Sequence, residues 1–182
     1  MVKSPFDTKE FGKLMLLIGV FVLLVIPFYY LSLGQYAWDI LLFCAVIWFV
    51  LESKDTKKSI ANALKIGAFL LVFDFIAENT GWIYGLWQTH SMLALGVVPV
   101  QVMGIAFFGG AAWALYLPKE YRFWHSVADT LAFAFFGALG EYLLIRQGLF
   151  AYHLWWTSAA AFSAYYLTWI ILHFVRYKVF KD

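Results

Sequence analysis

The sequence is short of charge and has almost no cysteine. Charged residues make up 13% of the 182 residues and hydrophobic residues 64%, whereas a soluble domain averages about 25% charged residues. So few charges cannot cover a water-facing surface, which excludes an ordinary soluble domain and favours lipid as the solvent. Cys44 is the only cysteine, so a disulfide framework and a cysteine-based zinc site are excluded as well. The length fits a single integral membrane domain over residues 1–182.

Six apolar runs fill most of the chain. Crossing the hydrocarbon of a bilayer takes about 20 apolar residues in a helix, whose backbone groups bond within their own segment. A membrane β-barrel would need strict alternation, which residues 21–26 (Phe-Val-Leu-Leu-Val-Ile) lack. The sequence therefore predicts an all-α, polytopic membrane helix bundle. Its six predicted transmembrane helices lie near residues 13–33, 36–51, 61–79, 95–117, 124–145 and 154–175.

Lysine and arginine lie almost entirely on one side of the predicted spans. All but one of the 13 basic residues fall in or next to the N-terminal segment, the second and fourth links and the C-terminus, and the exception is Arg146. Because cytoplasmic loops carry the excess of basic residues, we expect a multi-pass protein of the cell membrane with both termini cytoplasmic. The segments near 34–37, 80–94 and 146–153 then face outward, and they are rich in the aromatic side chains typical of a membrane interface.

Carboxylates inside the predicted spans need a reason, because they are costly in lipid and by default mark a site. Asp74 and Glu78 are four residues apart, so they share one face of span three near its outer end. Two close carboxylates in a low dielectric do not both ionise easily, so we expect one to keep its proton and to serve as a general acid. Alternatively they cap a helix end, meet Arg146 or reach interfacial water. Asp39 and Asp129 lie near span ends, where structural roles are expected.

A short pattern occurs twice, at an offset of 63 residues. The pattern Glu-x6-Gly-Leu-aromatic-x2-His runs from Glu78 to His90 and again from Glu141 to His153. A duplicated two-helix hairpin would explain it, and because an even number of spans separates the copies, both would face the same side of the membrane. Such a duplication could bring the two glutamates and the two histidines together.

These four residues also define an alternative metal set. Glutamate and histidine are acceptable ligands for iron, manganese or zinc. No His-x3-His or Glu-x2-His spacing preorganises such a site on one helix, however, so we expect no metal. His125 and His173, near the cytoplasmic ends of their spans, could pair around a haem, but a histidine at that depth is more often interfacial.

The segment that begins at Asp74 resembles a motif of a known family. It reads Asp74-Phe-Ile-Ala-Glu78-Asn-Thr80-Gly81-Trp-Ile-Tyr84-Gly85-Leu-Trp87 and is followed by Gly96-Val-Val-Pro99-Val100. An acid, spaced glycines and aromatics, and then Gly-Val-Pro at the next span are typical of a group of carotenoid-biosynthesis membrane proteins. That group includes the carotenoid 1,2-hydratases and bisanhydrobacterioruberin hydratase, and it is distantly similar to the heterodimer-type lycopene cyclases.

The resemblance covers about 30 residues well. The matched acid, glycines, aromatics and proline are, in that order, Asp74, Gly81, Gly85, Tyr84, Trp87 and Pro99. The chain is shorter than the hydratases and has aspartate where they usually have glutamate. Val100 and Gln101 follow the proline, at positions where the cyclases carry acids.

The resemblance implies acid catalysis on a carotenoid or another long isoprenoid. A carboxylic acid would protonate a terminal double bond, and the cation would then take up water or lose a proton after cyclisation. Asp74 and Glu78 would be the proton donor and its partner, and Glu141 a second acid or the base that orients water. The expected substrate-binding residues are Trp82, Tyr84, Trp87, Gly81, Gly85 and Pro99. The secondary candidates are His90, His153 and Arg146.

This chemistry needs no redox cofactor, and we expect none. The sequence has no Gly-x-Gly-x-x-Gly motif, and no nucleic-acid partner is expected. The expected partners are the lipid bilayer and the isoprenoid. A non-catalytic accessory or lipid-binding subunit of a larger membrane complex is the alternative function, and a small transporter or channel is a third; an oligomer is compatible with each.

Overall fold

The computed structural model describes the backbone of residues 8–54 and 59–180, with side chains from residue 11 onward in those ranges. Its helices are α1 Thr8–Tyr30, α2 Tyr36–Lys54, α3 Ile60–Ile83, α4 Val100–Tyr116, α5 Phe123–Arg146 and α6 Ser158–Phe174, and a π-helical turn at Val175–Val179 extends α6. The short strands are β1 Trp87–Thr89, β2 Ala94–Leu95, β3 Val98–Pro99 and β4 Phe150–Tyr152. Five of the helices, all except the 17-residue α4, are long and apolar enough to cross a membrane, with α6 and its π-helical turn counted together as 22 residues. The predicted all-α polytopic bundle is therefore confirmed.

Two helices begin later than the hydropathy predicts. The fourth predicted span starts near residue 95, but Ala94–Leu95 and Val98–Pro99 pair as a tight antiparallel ladder around Gly96, whose φ is 65°. Helix α4 therefore starts only at Val100, directly after a proline, which has no N–H to leave unpaired. The sixth span starts at Ser158 instead of 154, because the Thr157 side chain caps the helix by accepting the Ala160 N–H.

The helices pack as two groups of three. Helix α4 packs against α2 and α3, and α5 packs against α6 and α1. Glycines allow the close approach of α3 to α4, because a Cβ at Gly67 would collide with the carbonyl oxygen of Phe107. The two groups meet through aromatic packing, such as Trp113 of α4 against Trp169 of α6, with ring centroids 5.1 Å apart.

The 63-residue repeat is visible in the backbone. Helices α3 and α5 each have 24 residues and begin 63 positions apart. Both end at a glycine with positive φ, Gly85 at 62° and Gly148 at 71°. After each glycine a leucine N–H returns to the helix: Leu86 donates to Gly81 (2.8 Å) and Leu149 to Leu144 (3.0 Å). The repeat is therefore seen in α3, α5 and the turns that follow them, whereas α4 begins at Val100 and α6 at Ser158, which does not keep the 63-residue offset.

Strands β1 and β4 join the two repeats in a short antiparallel ribbon. Its central pair, Gln88 and Ala151, are themselves equivalent positions of the repeat, so the ribbon has a local two-fold symmetry. The symmetry extends to the flanking bonds, because the His90 N–H donates to Leu149 and the His153 N–H to Leu86, both at 2.8 Å. The ribbon thus ties the end of α3 to the end of α5.

The link between α1 and α2 lies at the same end of the bundle, hereafter the ribbon end. The Gln147 side chain accepts the N–H groups of Leu33 and Gly34 and donates to the carbonyls of Phe28 and Leu31. The three segments predicted to share one side are therefore together in space. Which side of a membrane they face stays a prediction, and four of the lysines behind it, Lys3, Lys57, Lys58 and Lys181, lie outside the described residues.

Candidate functional site

Three carboxylates converge beneath the ribbon. Asp74 and Glu78 come from α3 and Glu141 from α5, and the three are close enough to interact electrostatically. The i, i+4 spacing on α3 brings the first two together, and the two-fold relation of the repeats adds the third. Within the described part of the chain, the salt bridges that the structure forms do not involve these acids, so no basic partner offsets their charge.

Glu141 is held by tyrosine hydroxyls. Tyr152 of β4 donates to its Oε2 at 2.7 Å, and Tyr165 of α6 is also within hydrogen-bonding reach. Burial and the neighbouring Glu141 carboxylate raise the pKa of Tyr152 well above its usual range, so its hydroxyl remains a donor. Tyr165 reaches the site because it packs on Gly137, where a Cβ would lie 2.8 Å from the tyrosine ring.

Glu78 is held differently. The Trp87 indole N–H donates to Glu78 Oε2 at 3.2 Å, and the Thr89 hydroxyl lies 3.5 Å from the same oxygen. The Trp87 ring covers Gly81, where any Cβ would collide with the indole. The glycine at position 81 is thus needed for the tryptophan to fold back over the end of α3. The packing of Trp87 on Gly81 therefore explains why the motif has a glycine and a tryptophan at these two positions.

Asp74 lies one helical turn from Glu78, deeper in the bundle. Its Oδ2 atom is buried, and no hydrogen-bond partner reaches it among the residues that the structure describes. The equivalent position in the second repeat is Gly137, so the acid has no counterpart there. A buried polar atom without a partner is unusual in a folded protein and indicates a place where a ligand could bind.

The aromatic residues predicted to line the site are divided between two locations. Trp87 packs against Trp156 with ring centroids 4.4 Å apart, next to the carboxylates. Trp82 and Tyr84 are instead exposed, at 51% and 68%, on the outer surface of the bundle. The buried Pro99 lies at the start of α4, paired with β2.

The secondary candidates lie away from the carboxylates. His90 and His153 are exposed and contribute to the ribbon through their backbone. Among the described side chains, no group of three or more histidine, cysteine, aspartate or glutamate residues could hold a metal ion, so the alternative metal set is not assembled there. The Arg146 guanidinium lies 4.2 Å from the centroid of the Tyr29 ring, which orients it toward α1.

Sequence reasoning missed a second polar cluster at the opposite end of the bundle. Asp129 of α5 is fully buried and accepts the indole N–H of Trp113 at 2.8 Å, and the His173 Nε2 atom lies 3.0 Å from the same oxygen. Twelve residues separate Asp129 from Glu141, or about 18 Å along the helix. No sequence signal linked these partners, because they come from three different helices.

An open depression lies beside the carboxylates on the ribbon-end surface. It has a volume of about 400 Å³. Its lining is about equally polar and apolar: Gln35, Gln88, Thr89, His90 and Ser91 are the polar residues, and Trp82, Met92 and Val97 are among the apolar ones. Thr89 is therefore shared between the depression and the contact with Glu78.

Comparison of the chain with family models, with curated proteins and with solved structures gave no match, so its family assignment rests on the sequence motif as a prediction.

Proposed function

We propose that the protein is an enzyme of the cell membrane that protonates a carbon–carbon double bond of a carotenoid or another long isoprenoid. The observation that carries this proposal is the convergence of Asp74, Glu78 and Glu141 in a membrane bundle without a basic partner among the described residues. Ionisable groups inside spans are costly, and a cluster of them is expected to serve a function. The proposal includes the orientation with both termini cytoplasmic and the ribbon end outward.

Asp74 is the best-placed proton donor. Its Oδ2 atom has no hydrogen-bond partner among the described residues, so it is free to face a substrate. In the first step the proton leaves the carboxyl group, and the π electrons of the double bond form the new C–H bond. The adjacent carbon becomes a tertiary cation, and no electron is gained or lost overall.

The surroundings suit a cation. Carboxylate charge and the faces of aromatic rings both stabilise positive charge without forming a bond to it. Trp87 and Trp156 supply the nearby rings. Glu141, held by Tyr152 at 2.7 Å, supplies a fixed negative group.

Two outcomes complete the reaction. In a hydration, a water oxygen bonds to the cation and a carboxylate takes the proton that the water loses. In a cyclisation, a second double bond attacks the cation and a neighbouring carbon then loses a proton to the carboxylate. The helices pack mainly within their two groups of three, so a long polyene could enter from the bilayer between the groups.

The test uses a bacterial host that accumulates an acyclic carotenoid, with mass spectrometry of the extracted pigments. A gain of one water would identify a hydratase, and unchanged mass with a blue-shifted absorption spectrum a cyclase. Asp74→Asn should lower product by at least about 100-fold, since a positioned acid contributes 10² to 10⁴. Asp39→Asn is the matched control, because Asp39 is an exposed acid that accepts a bond from Gln101.

The same assay can contradict the proposed function. If hosts with acyclic carotenoids of several lengths keep their pigment unchanged while the protein is present in the membrane, the proposal is contradicted. If Asp74→Asn also leaves the host and the assembly of the protein unchanged, the role of an accessory subunit replaces it, and purification should then recover a stoichiometric partner.

A further inference from the structure

The two repeat-related glutamates are covered differently, although their backbone setting is the same. Position 89 in the first repeat corresponds to position 152 in the second. At position 152 a tyrosine donates directly to Glu141 at 2.7 Å. At position 89 a threonine lies 3.5 Å from Glu78. The Trp87 indole N–H also donates to Glu78, but the smaller threonine leaves Glu78 without the tyrosine lid that covers Glu141.

The Thr89 hydroxyl has its own acceptor. It donates to the Val97 carbonyl at 3.0 Å, so its single hydrogen is engaged there and the longer contact with Glu78 is not a strong direct bond. The hydroxyl oxygen keeps lone pairs with which to hold a water molecule. A polar contact of this length is a usual place for a bridging water.

The open depression reaches this same hydroxyl. Its lining at Gln88, Thr89 and Ser91 supplies the polar groups that an ordered water needs. From this depression Glu78 lies behind Thr89 and beside the Trp87 indole that donates to it. For Glu141 the equivalent position is filled by the phenol ring of Tyr152.

We propose that the depression admits water to Glu78 and that Thr89 is the positioning residue for that water, while Tyr152 closes the equivalent route to Glu141. Glu78 then exchanges protons with the aqueous phase, and Glu141 stays on the dry side of the site. The catalytic use of this water, as the molecule that adds to the cation or restores the acid, rests on the proposed function. The water route itself does not.

The route can be measured without any substrate. Cys44→Ala removes the only cysteine, and Glu78→Cys or Glu141→Cys is then introduced in protein reconstituted in lipid nanodiscs. A small, positively charged methanethiosulfonate reagent is added, and intact-mass spectrometry follows the modification. The Glu78→Cys variant should react at least about tenfold faster, because thiol modification follows solvent exposure. Equal rates would overturn the proposal.

Exchanging the two lids tests the cause. Thr89→Tyr copies the lid of the second repeat and should slow the reaction of the Glu78→Cys variant about tenfold, whereas Tyr152→Thr should speed that of the Glu141→Cys variant. Ser91→Ala is the matched control, since Ser91 lines the same depression but contacts Leu93 and Gln101. If Thr89→Tyr does not fold, Tyr152→Thr in the Glu141→Cys variant still tests the proposal. If neither exchange changes the rate of thiol modification, the role of position 89 is refuted.

Activity supplies a separate readout. With isotopically labelled water, Thr89→Val should slow the appearance of label in the product, and Thr89→Ser should restore that rate because it keeps the hydroxyl. An access difference without any turnover would leave the water route standing and contradict only the proposed function. Turnover with equal access of both glutamate positions would contradict the water route alone.

Discussion

Replacing Asp129 with alanine removes one acceptor from two buried partners, the indole N–H of Trp113 and the Nε2 atom of His173. In a water-soluble protein each abandoned buried group would cost about 1–3 kcal/mol. Inside a membrane the measured value is lower, about 0.6 kcal/mol on average and up to about 1.7, because the unfolded helices also find partners in lipid. Two such contacts therefore predict a loss of about 1–3 kcal/mol in the free energy of unfolding.

The assay is reversible unfolding in mixed micelles of lipid and detergent, followed by tryptophan fluorescence. Asp129→Asn keeps an acceptor for the indole and should lose less than the alanine variant. Leu131→Ala, at an exposed position of the same helix, is the control for the loss of side-chain volume. A double-mutant cycle of Asp129→Ala with His173→Ala should give a coupling of about 0.5–1.5 kcal/mol. The reasoning is refuted if the aspartate variant unfolds like the leucine control or if the coupling is zero.

Three further substitutions test the ribbon end. Tyr152→Phe removes the 2.7 Å donor and should lower turnover about tenfold or more while leaving the unfolding free energy within about 1 kcal/mol, as measured by pigment analysis and unfolding together. Gly81→Ala displaces Trp87 and should reduce turnover, whereas Gly140→Ala, with open space around it, should not. Equal amounts of product from the two variants would contradict the packing argument. Gln147→Ala removes four hydrogen bonds to the α1–α2 link and should therefore increase amide hydrogen exchange in that link. Unchanged exchange would show that Gln147 does not hold the link in place.

Hydropathy was sufficient for the number of helices, because a membrane allows few alternatives to an apolar helix of about 20 residues. It could not locate the start of α4. Residues 95–99 are apolar enough to continue a span, and only Gly96 and Pro99 signal the turn and the interrupted backbone bonding that keep them out of the helix.

The site was predictable where spacing or repetition supplied geometry. Asp74 and Glu78 share a face through their i, i+4 spacing, and the repeated pattern predicted that Glu141 would face the same way. The position of Asp129 near a helix end predicts only a structural role, and its burial does not follow from that position. Its partners come from α4 and α6, and helix periodicity describes only one helix at a time.

The symmetry of the two repeats is broken at the carboxylates. The backbone bonds repeat because both hairpins need the same glycine turn and the same ribbon contacts. The side chains do not repeat: the acid at position 74 corresponds to Gly137, where Tyr165 leaves no room even for a Cβ. A second acid at that position would displace the tyrosine that holds Glu141. An unsymmetrical trio of carboxylates therefore fits the packing of these helices better than two equal pairs.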